Sequence, residues 1–378
     1  MGRIAGLQIC FFLVCHWCFA QANFHTYTLN GVIKLNSGVV RLIPINSKGF
    51  YSNNKEGGES IISNGKFKLK NKIPYPYAYR IGVYQNSIPV YVSGIFFLDT
   101  GNQMIVCDIN SSWKTPDIRN LQMSEYINDF NPLFYLVNQK LAYIDKYRDS
   151  LNTIYKNNIP YEYLQLIRNL KSDAENVENE ILLNYIKNYS TSFVAFWSFV
   201  NKVSDSYESI YDTIFSAFSS SLKKNHTGKF LNETITLQRQ TSIGQTFPVM
   251  SLLNREFKQT VLPKKKEFKF TLIDFWFSHC NPCISQFGEL NQLFKEYNLK
   301  GFDIIGVSVD SKKNIPEWEN VIRKHSLLWG QFLDLNGKVA NRLGVNNYPA
   351  NFLLNEKGEI VAKDIEPFEL SMFLKTHL

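Results

Sequence analysis

Residues 272–283 read LIDFWFSHCNPC, and this stretch decides the fold of the C-terminal part of the chain. Apart from Asp274, its first half is apolar on both faces of an extended segment, which is typical of a strand buried in a parallel sheet. Pro282 is compatible with the first turn of a helix because that turn leaves its N–H groups unused. The amphipathic stretch ISQFGELNQLFKEYN continues from Ile284 to Asn298. The sequence therefore predicts a buried strand, two cysteines and a helix in direct succession.

The rest of the C-terminal sequence alternates strands with helices. The predicted elements are a strand at 302–310, a helix at 315–325, a hairpin at 351–365 and a closing helix at 366–377. Alternating strands and helices that end in a hairpin indicate an α/β domain with a mixed sheet. We expect this domain to occupy residues 241–378.

Two further regions precede this domain. From residue 21 to 115, short β-branched or alternating runs are separated by turn signals such as Asn64-Gly65, in which both residues tolerate positive φ. This pattern predicts a small β-sandwich-like domain. From 116 to 240 the apolar residues recur at helical spacing, and a bundle of about four helices accounts for them.

The spacing of Cys280 and Cys283 suits reversible disulfide chemistry. At the start of a helix, two cysteines three residues apart have their sulfur atoms within bonding distance. The unpaired N–H groups of a helix N-terminus favour an anion, so we expect a lowered pKa for the Cys280 thiol. Cys280 is therefore the expected attacking thiolate, and Cys283 is the expected resolving thiol.

Two other uses of a Cys-x-x-Cys pair have less support. A structural zinc site needs four ligands, and the sequence holds no second cysteine pair or histidine cluster to complete one. A purely structural disulfide between adjacent helical turns closes a very short loop, so its entropic stabilisation is small. We therefore predict neither a metal nor a cofactor.

Composition is that of an ordinary globular protein. Of the 378 residues, 44% are hydrophobic and 20% are charged, which is enough to bury substantial cores. The formal net charge of +8 comes from scattered basic residues, and the one short run, Lys264–Lys266, is explained by a solvated loop. We therefore expect no nucleic-acid partner. The sequence indicates no particular oligomeric state.

Residues 1–20 have the form of a secretory signal peptide, with Arg3 before an apolar run and small residues at Ala20 and Ala22. Cleavage there is the preferred interpretation, and an uncleaved anchor is the alternative. Cleavage would remove three of the six cysteines and leave Cys107 besides the close pair. Cys107 lies in a strand-like run and is predicted to be a buried core residue. We expect an exported protein, periplasmic or associated with the envelope.

Residues 241–378 resemble the exported thiol-disulfide oxidoreductases of the TlpA/ResA type, within the thioredoxin superfamily. The resemblance rests on a hydrophobic-Asp-Phe-Trp strand followed by Cys-x-Pro-Cys, which residues 273–283 reproduce. It implies a thioredoxin-like fold for this domain. The order of regions also resembles exported thioredoxins in which a β domain of unknown function and a helical segment come first.

The resemblance assigns roles to four further residues. Asp274 matches a buried acid that moves protons at the resolving thiol, and it joins the cysteines as a predicted catalytic residue. Trp276 matches a tryptophan that packs beside the active site. Tyr348 and Pro349 match the loop whose cis-proline faces the disulfide and shapes the substrate groove.

Three positions depart from the family pattern. His279 replaces a tryptophan, and it could stabilise the Cys280 thiolate, contact substrate or be solvated. Gln286 and Gly288 replace a glutamate and a helix-kinking proline, which leaves the redox poise open. The neutral dipeptide Asn281-Pro282 between the cysteines favours a reductant.

The resemblance implies an enzyme, a thiol-disulfide oxidoreductase that reduces disulfides in exported proteins with electrons from a membrane thiol reductase. One alternative is the opposite direction, in which the protein is a disulfide donor or isomerase. Another is a non-catalytic binding protein that uses the thioredoxin fold as a scaffold for its N-terminal regions.

Overall fold

The computed structural model of the protein describes residues 24–45, 48–52, 57–156, 159–203, 207–262 and 268–378. The signal peptide predicted at 1–20 lies outside these residues. The described chain divides into two compact units: the first holds residues up to Ile43 together with 57–120, and the second holds the short segment from Pro44 together with Leu121–Leu378. None of the helices in these residues has both the length and the apolar character needed to cross a membrane.

Nine strands of the first unit form one hydrogen-bonded sheet, which confirms the β-rich region. They are β1 (His25–Ile33), β2 (Ser37–Pro44), β3 (Glu59–Ser63), β4 (Lys66–Ile73), β5 (Tyr77–Gln85), β6 (Ile88–Val92), β7 (Phe96–Leu98), β8 (Gly101–Cys107) and β9 (Asp117–Ile118). β1 is antiparallel to β4 and parallel to β8, and burial largely alternates along these strands, so one sheet face carries the core. Cys107 is buried as predicted, and burial raises the pKa of its thiol to about 12.

The helices between residues 121 and 240 belong to the second unit. They are α1 (Leu121–Glu125), α2 (Tyr135–Ile154), α3 (Tyr161–Asn188), α4 (Phe193–Val203), α5 (Ile210–Ala217), α6 (Ser220–Lys224) and α7 (His226–Gln240). Four of them are long, as predicted, and three are short. α5 and α6 end where Phe218 and Asn225 adopt extended conformations, and the side chains of Ser219 and Asn225 then cap α6 and α7.

The remaining elements include the predicted strands and helices in their predicted order, together with three strands and one helix that the sequence pattern did not predict. The strands are β10 (Met250–Leu253), β11 (Gln259–Leu262), β12 (Phe270–Trp276), β13 (Phe302–Ser308), β14 (Gly330–Leu333), β15 (Ala350–Asn355) and β16 (Ile360–Lys363). The helices are α8 (Asn281–Tyr297), α9 (Ile315–Lys324), α10 (Lys338–Arg342) and α11 (Pro367–His377). The division into three domains at residues 21–115, 116–240 and 241–378 stays a prediction.

β12 lies inside a mixed seven-stranded sheet of order β11-β10-β14-β13-β12-β15-β16. It is parallel to β13 and antiparallel to β15. Its side chains alternate between two cores: Leu272 and Trp276 pack with residues of α8, α9 and α11, whereas Ile273 and Phe275 pack with residues of α10. Layers of helix on both faces of the sheet confirm the predicted α/β class.

Two glycines allow a matched test of helix packing. A Cβ on Gly228, in α7, would lie 2.8 Å from backbone atoms of Lys223, whereas a Cβ on Gly288, in α8, would meet nothing within 4 Å. Gly228→Ala should destabilise the protein by about 1–3 kcal/mol, because the backbone of α6 must move away. Gly288→Ala should stabilise it by about 0.5–1 kcal/mol, because alanine loses less chain entropy in a helix. Urea unfolding followed by circular dichroism measures both, and equal effects would contradict the packing described.

Candidate active site

The two cysteines lie directly after β12, at the start of α8. They form a disulfide whose Cα atoms are 5.3 Å apart. Cys280 is the N-cap residue of α8, and its Sγ accepts a hydrogen bond from the backbone N–H of Cys283 at 3.2 Å. Pro282 stands in the first turn, where its missing N–H leaves no carbonyl unpaired. The helix start therefore directs an N–H at the atom that would carry the negative charge of a reduced Cys280.

Both cysteines are shielded from solvent in this oxidised state. Cys280 is 3% exposed and Cys283 is 2% exposed, so burial does not distinguish the attacking sulfur from the resolving one. The neighbouring residues His279, Asn281 and Pro282 are exposed. The disulfide thus lies just beneath the surface, and a substrate would approach it past these three residues.

Asp274 is buried in the interior of β12. Its backbone is paired with Gly306 of β13 and Asn351 of β15, so the residue has a strand on each side. Alternation along the strand puts its side chain on the same face as Leu272 and Trp276, the face that α8 covers. Burial raises the pKa of this carboxyl to about 7. An acid that gains and loses a proton near neutral pH suits the predicted proton transfer.

Trp276 contacts the cysteine helix. Its ring meets that of Phe287 edge-on, with centroids 5.2 Å apart, and both residues belong to the core cluster that contains the two cysteines. The indole N–H donates to Oε1 of Gln331 in β14 at 3.3 Å. Trp276 therefore packs in the same core cluster as the two cysteines, and its contacts hold α8 against the sheet.

Tyr348 and Pro349 precede β15. Their peptide bond is cis, the isomer that the resemblance implied. The Tyr348 ring packs edge-on against Phe277 at 5.6 Å and against the core cluster of the cysteines. The pKa of Tyr348 is raised to about 12, mainly by burial and to a smaller extent by the nearby Asp334 carboxylate. The loop and the cysteines therefore share one end of the sheet.

His279 is exposed, and its Nδ1 lies 2.9 Å from the Ser278 hydroxyl. That hydroxyl in turn donates to Asp310 at 2.8 Å, and the Ser308 hydroxyl donates to the same carboxylate. The sequence motif pointed to His279 but to neither serine nor Asp310. The signal that could have found them is position, because Ser278 and Asp310 each stand just past the end of a buried strand.

The two other departures from the family pattern lie on α8. Gln286 donates from Nε2 to the Glu366 carboxylate at 2.8 Å, at the N-cap of α11. Gly288 is exposed and lies inside a continuous helix. Within the described part of the chain, no group of three or more His, Cys, Asp and Glu residues is arranged to hold a metal.

Part of the chain is similar to known proteins. Residues 243–363 match the AhpC/TSA family. The chain is 25% identical over 126 residues to the thiol-disulfide oxidoreductase ResA of Bacillus thuringiensis subsp. konkukian, a match that covers 33% of this chain and 71% of that protein. It is 30% identical over 98 residues to the sporulation thiol-disulfide oxidoreductase A of Bacillus subtilis, covering 26% and 59%.

Among solved structures, a thiol-disulfide oxidoreductase from Bacteroides fragilis NCTC 9343 is 32% identical to the aligned part. The alignment has a TM-score of 0.33 and covers 35% of this chain and 100% of that chain. The sequence matches confirm the resemblance that the cysteine motif indicated.

The raised pKa of Asp274 predicts a pH-dependent stability. Its folded-state pKa of about 7 exceeds the unfolded value, so between the two values the folded state binds more protons and stability falls as pH rises. Asp274→Asn removes this dependence. The stability of the variant relative to the oxidised wild type should grow by about 3 kcal/mol between about pH 5 and pH 8.

Urea unfolding of both oxidised proteins across this pH range measures the effect. Asp173→Asn is the matched control, because Asp173 is exposed on α3. A difference between Asp274→Asn and wild type that stays constant with pH would contradict the raised pKa.

Proposed function

We propose that this chain, whose C-terminal part is a thioredoxin-family domain related to ResA, is an exported thiol-disulfide oxidoreductase. It exchanges disulfides with exported proteins through Cys280 and Cys283, in the reducing direction. The observation that carries the proposal is the disulfide at the N-terminus of α8, where the Cys283 N–H is hydrogen-bonded to the Cys280 sulfur. The same contact stabilises a thiolate once the disulfide is reduced.

In the proposed cycle, the Cys280 thiolate attacks a substrate disulfide and forms a mixed disulfide. Cys283 then attacks Cys280, which closes the internal disulfide and releases the reduced substrate. Cys283 must lose its proton for this step, and Asp274 is the proposed acceptor because it is buried under α8 with a pKa raised to about 7. Pro349 and Tyr348 would border the substrate groove.

One feature favours the reducing direction. The dipeptide between the cysteines, Asn281-Pro282, is neutral, so it adds no positive charge that would hold the thiolate more strongly. The Cys280–Cys283 disulfide of a reductant must be reduced again after each cycle, and a membrane thiol reductase is the proposed electron donor.

The location proposed is outside the cytoplasm, in the periplasm or at the envelope. It rests on the signal-like sequence of residues 1–20 and on the need of a disulfide reductase for substrates that carry disulfides. Proteins that retain disulfides are concentrated in exported compartments, so they are the proposed partners.

Insulin reduction with dithiothreitol as electron source tests the activity. The wild type should precipitate the insulin B chain, and Cys280→Ser should abolish the acceleration because it removes the nucleophile. Cys107→Ala is the control and should keep full activity, because Cys107 is buried in β8 of the first unit. A wild type that fails to accelerate reduction would favour the binding-scaffold alternative.

Cys283→Ser should accumulate mixed disulfides with exported proteins, because no resolving thiol remains to release them. Non-reducing gels of cell-envelope fractions detect these adducts, and Cys280→Ser in the same strain is the control. If Cys283→Ser yields no more adducts than Cys280→Ser, the proposed substrates are wrong.

The direction of exchange is measured by the reduction potential of the Cys280–Cys283 pair in glutathione or dithiothreitol buffers. We expect a value near the roughly −270 mV of a reducing thioredoxin. A value near the roughly −120 mV of a strong oxidant would replace the reductase with the disulfide-donor alternative.

A further inference from the structure

A buried carboxylate lies behind the cysteine loop, and the proposed exchange does not use it. Asp310 follows β13 and is 2% exposed. Its Oδ2 accepts the backbone N–H of Ser278 at 2.8 Å and the Ser308 hydroxyl at 2.7 Å, and its Oδ1 accepts the Ser278 hydroxyl at 2.8 Å. Burying a carboxylate is costly unless its oxygens are hydrogen-bonded. These three donors therefore explain how the fold tolerates it.

Ser278 connects this acid to His279. A serine hydroxyl has one hydrogen, and here it is donated to Asp310. The same oxygen lies 2.9 Å from Nδ1 of His279, so in that contact it can only accept, and Nδ1 must carry a proton. The other ring nitrogen, Nε2, is then the one that gains or loses a proton when the imidazole changes charge.

His279 stands at the entrance to the disulfide. It immediately precedes Cys280 and is exposed, whereas Cys280 is 3% exposed. We propose that His279 gives the proton on Nε2 to the thiolate that leaves the substrate disulfide, and that Ser278 and Asp310 are positioning residues for its ring. This inference rests on the proposed function and adds a proton donor on the substrate side.

The Cys280 thiolate attacks one substrate sulfur, a Cys280–substrate S–S bond forms and the substrate S–S bond breaks. The departing sulfur takes the electron pair and the Nε2 proton, which leaves a neutral imidazole with its proton on Nδ1. Cys283 then closes the internal disulfide, and its own proton ends on the second substrate thiol. The dithiol loses two electrons, and the substrate gains them.

The other ionisable groups at this end of the sheet do not offer the same proton. Asp274 is buried on the face under α8, away from solvent, and is assigned to Cys283. Tyr348 has a pKa raised to about 12 by burial, so it keeps its proton. Asp310 is buried, and its oxygens already accept three hydrogen bonds. Of these groups, His279 is the exposed one.

Two disulfides with different leaving groups test the proposal in single-turnover reactions of the reduced full-length protein. Insulin releases an alkyl thiolate, whose conjugate acid has a pKa of about 8.5, and protonation makes it a better leaving group. 5,5′-Dithiobis(2-nitrobenzoate) releases a stable aryl thiolate that needs no proton. His279→Ala and Ser278→Ala should slow the insulin reaction by about tenfold or more, and leave the aryl reaction unchanged.

Free imidazole should restore the insulin rate of His279→Ala, because the removed ring is exposed. Ser285→Ala on α8 and His377→Gln at the end of α11 are matched controls, and both should react at wild-type rates. Ser278→Ala keeps the backbone hydrogen bond to Asp310, and circular dichroism establishes that each variant is folded.

The possible results distinguish a failure of the proton-donor role of His279 from a failure of the proposed disulfide exchange. An equal slowing of both disulfides would overturn the proton-donor role, because it would mean an effect on Cys280 or on the fold. Unchanged rates with both disulfides would overturn it too. A wild type that exchanges with neither disulfide would instead defeat the proposed function, and the inference with it.

Discussion

The complete burial of the end of β12 is the constraint on which the site depends. Every side chain from Leu272 to Trp276 is buried, with Leu272 and Trp276 in the core under α8 and Ile273 and Phe275 in the core over α10. A strand packed on both faces cannot shift without exposing one core or the other. The N–H of Ile284 bonds to the carbonyl of Cys280 at 3.0 Å, so α8 begins at once. The cysteine pair therefore has a fixed place, and its sulfurs can part and rejoin with little backbone movement.

Periodicity and spacing predict most of this arrangement, because they are local properties. The apolar run at 272–276, the amphipathic helix after it and the cysteine spacing each carry their own physical signal. The only sequence signal at Asp310 is its place just past a buried strand, and nothing in the sequence links it to its partner Ser278, 32 residues away. The two meet because parallel pairing aligns Trp276 with Ser308 across β12 and β13. Such a register depends on the whole sheet. The sequence therefore points to His279 but does not show that Ser278 lies next to its ring and donates a hydrogen bond to Asp310.

The sequence also did not predict the contacts that the helices between residues 121 and 240 make with the C-terminal elements. Thr241, which follows α7, donates its hydroxyl to the carbonyl of Leu343 at 3.1 Å. A Cβ on Gly344 would lie 3.3 Å from Gln238 of α7, and Gly344 has a φ of +73°, which favours glycine. Arg168 of α3 also forms an ion pair with Glu369 of α11. Helices that sequence analysis treated as a separate region thus support the segment that leads to Pro349.

The proposed chemistry gives the two cysteines different proton partners because their surroundings differ. Asp274 lies inside the sheet under α8, where desolvation raises its pKa to about 7, and water does not reach it readily. Such a group can accept a proton from a thiol that never leaves the protein, which is the task at Cys283. The substrate thiolate departs at the surface, so its proton must come from an exposed group. His279 meets that requirement, and the tryptophan usual in the family does not, since an indole N–H is not an acid near neutral pH.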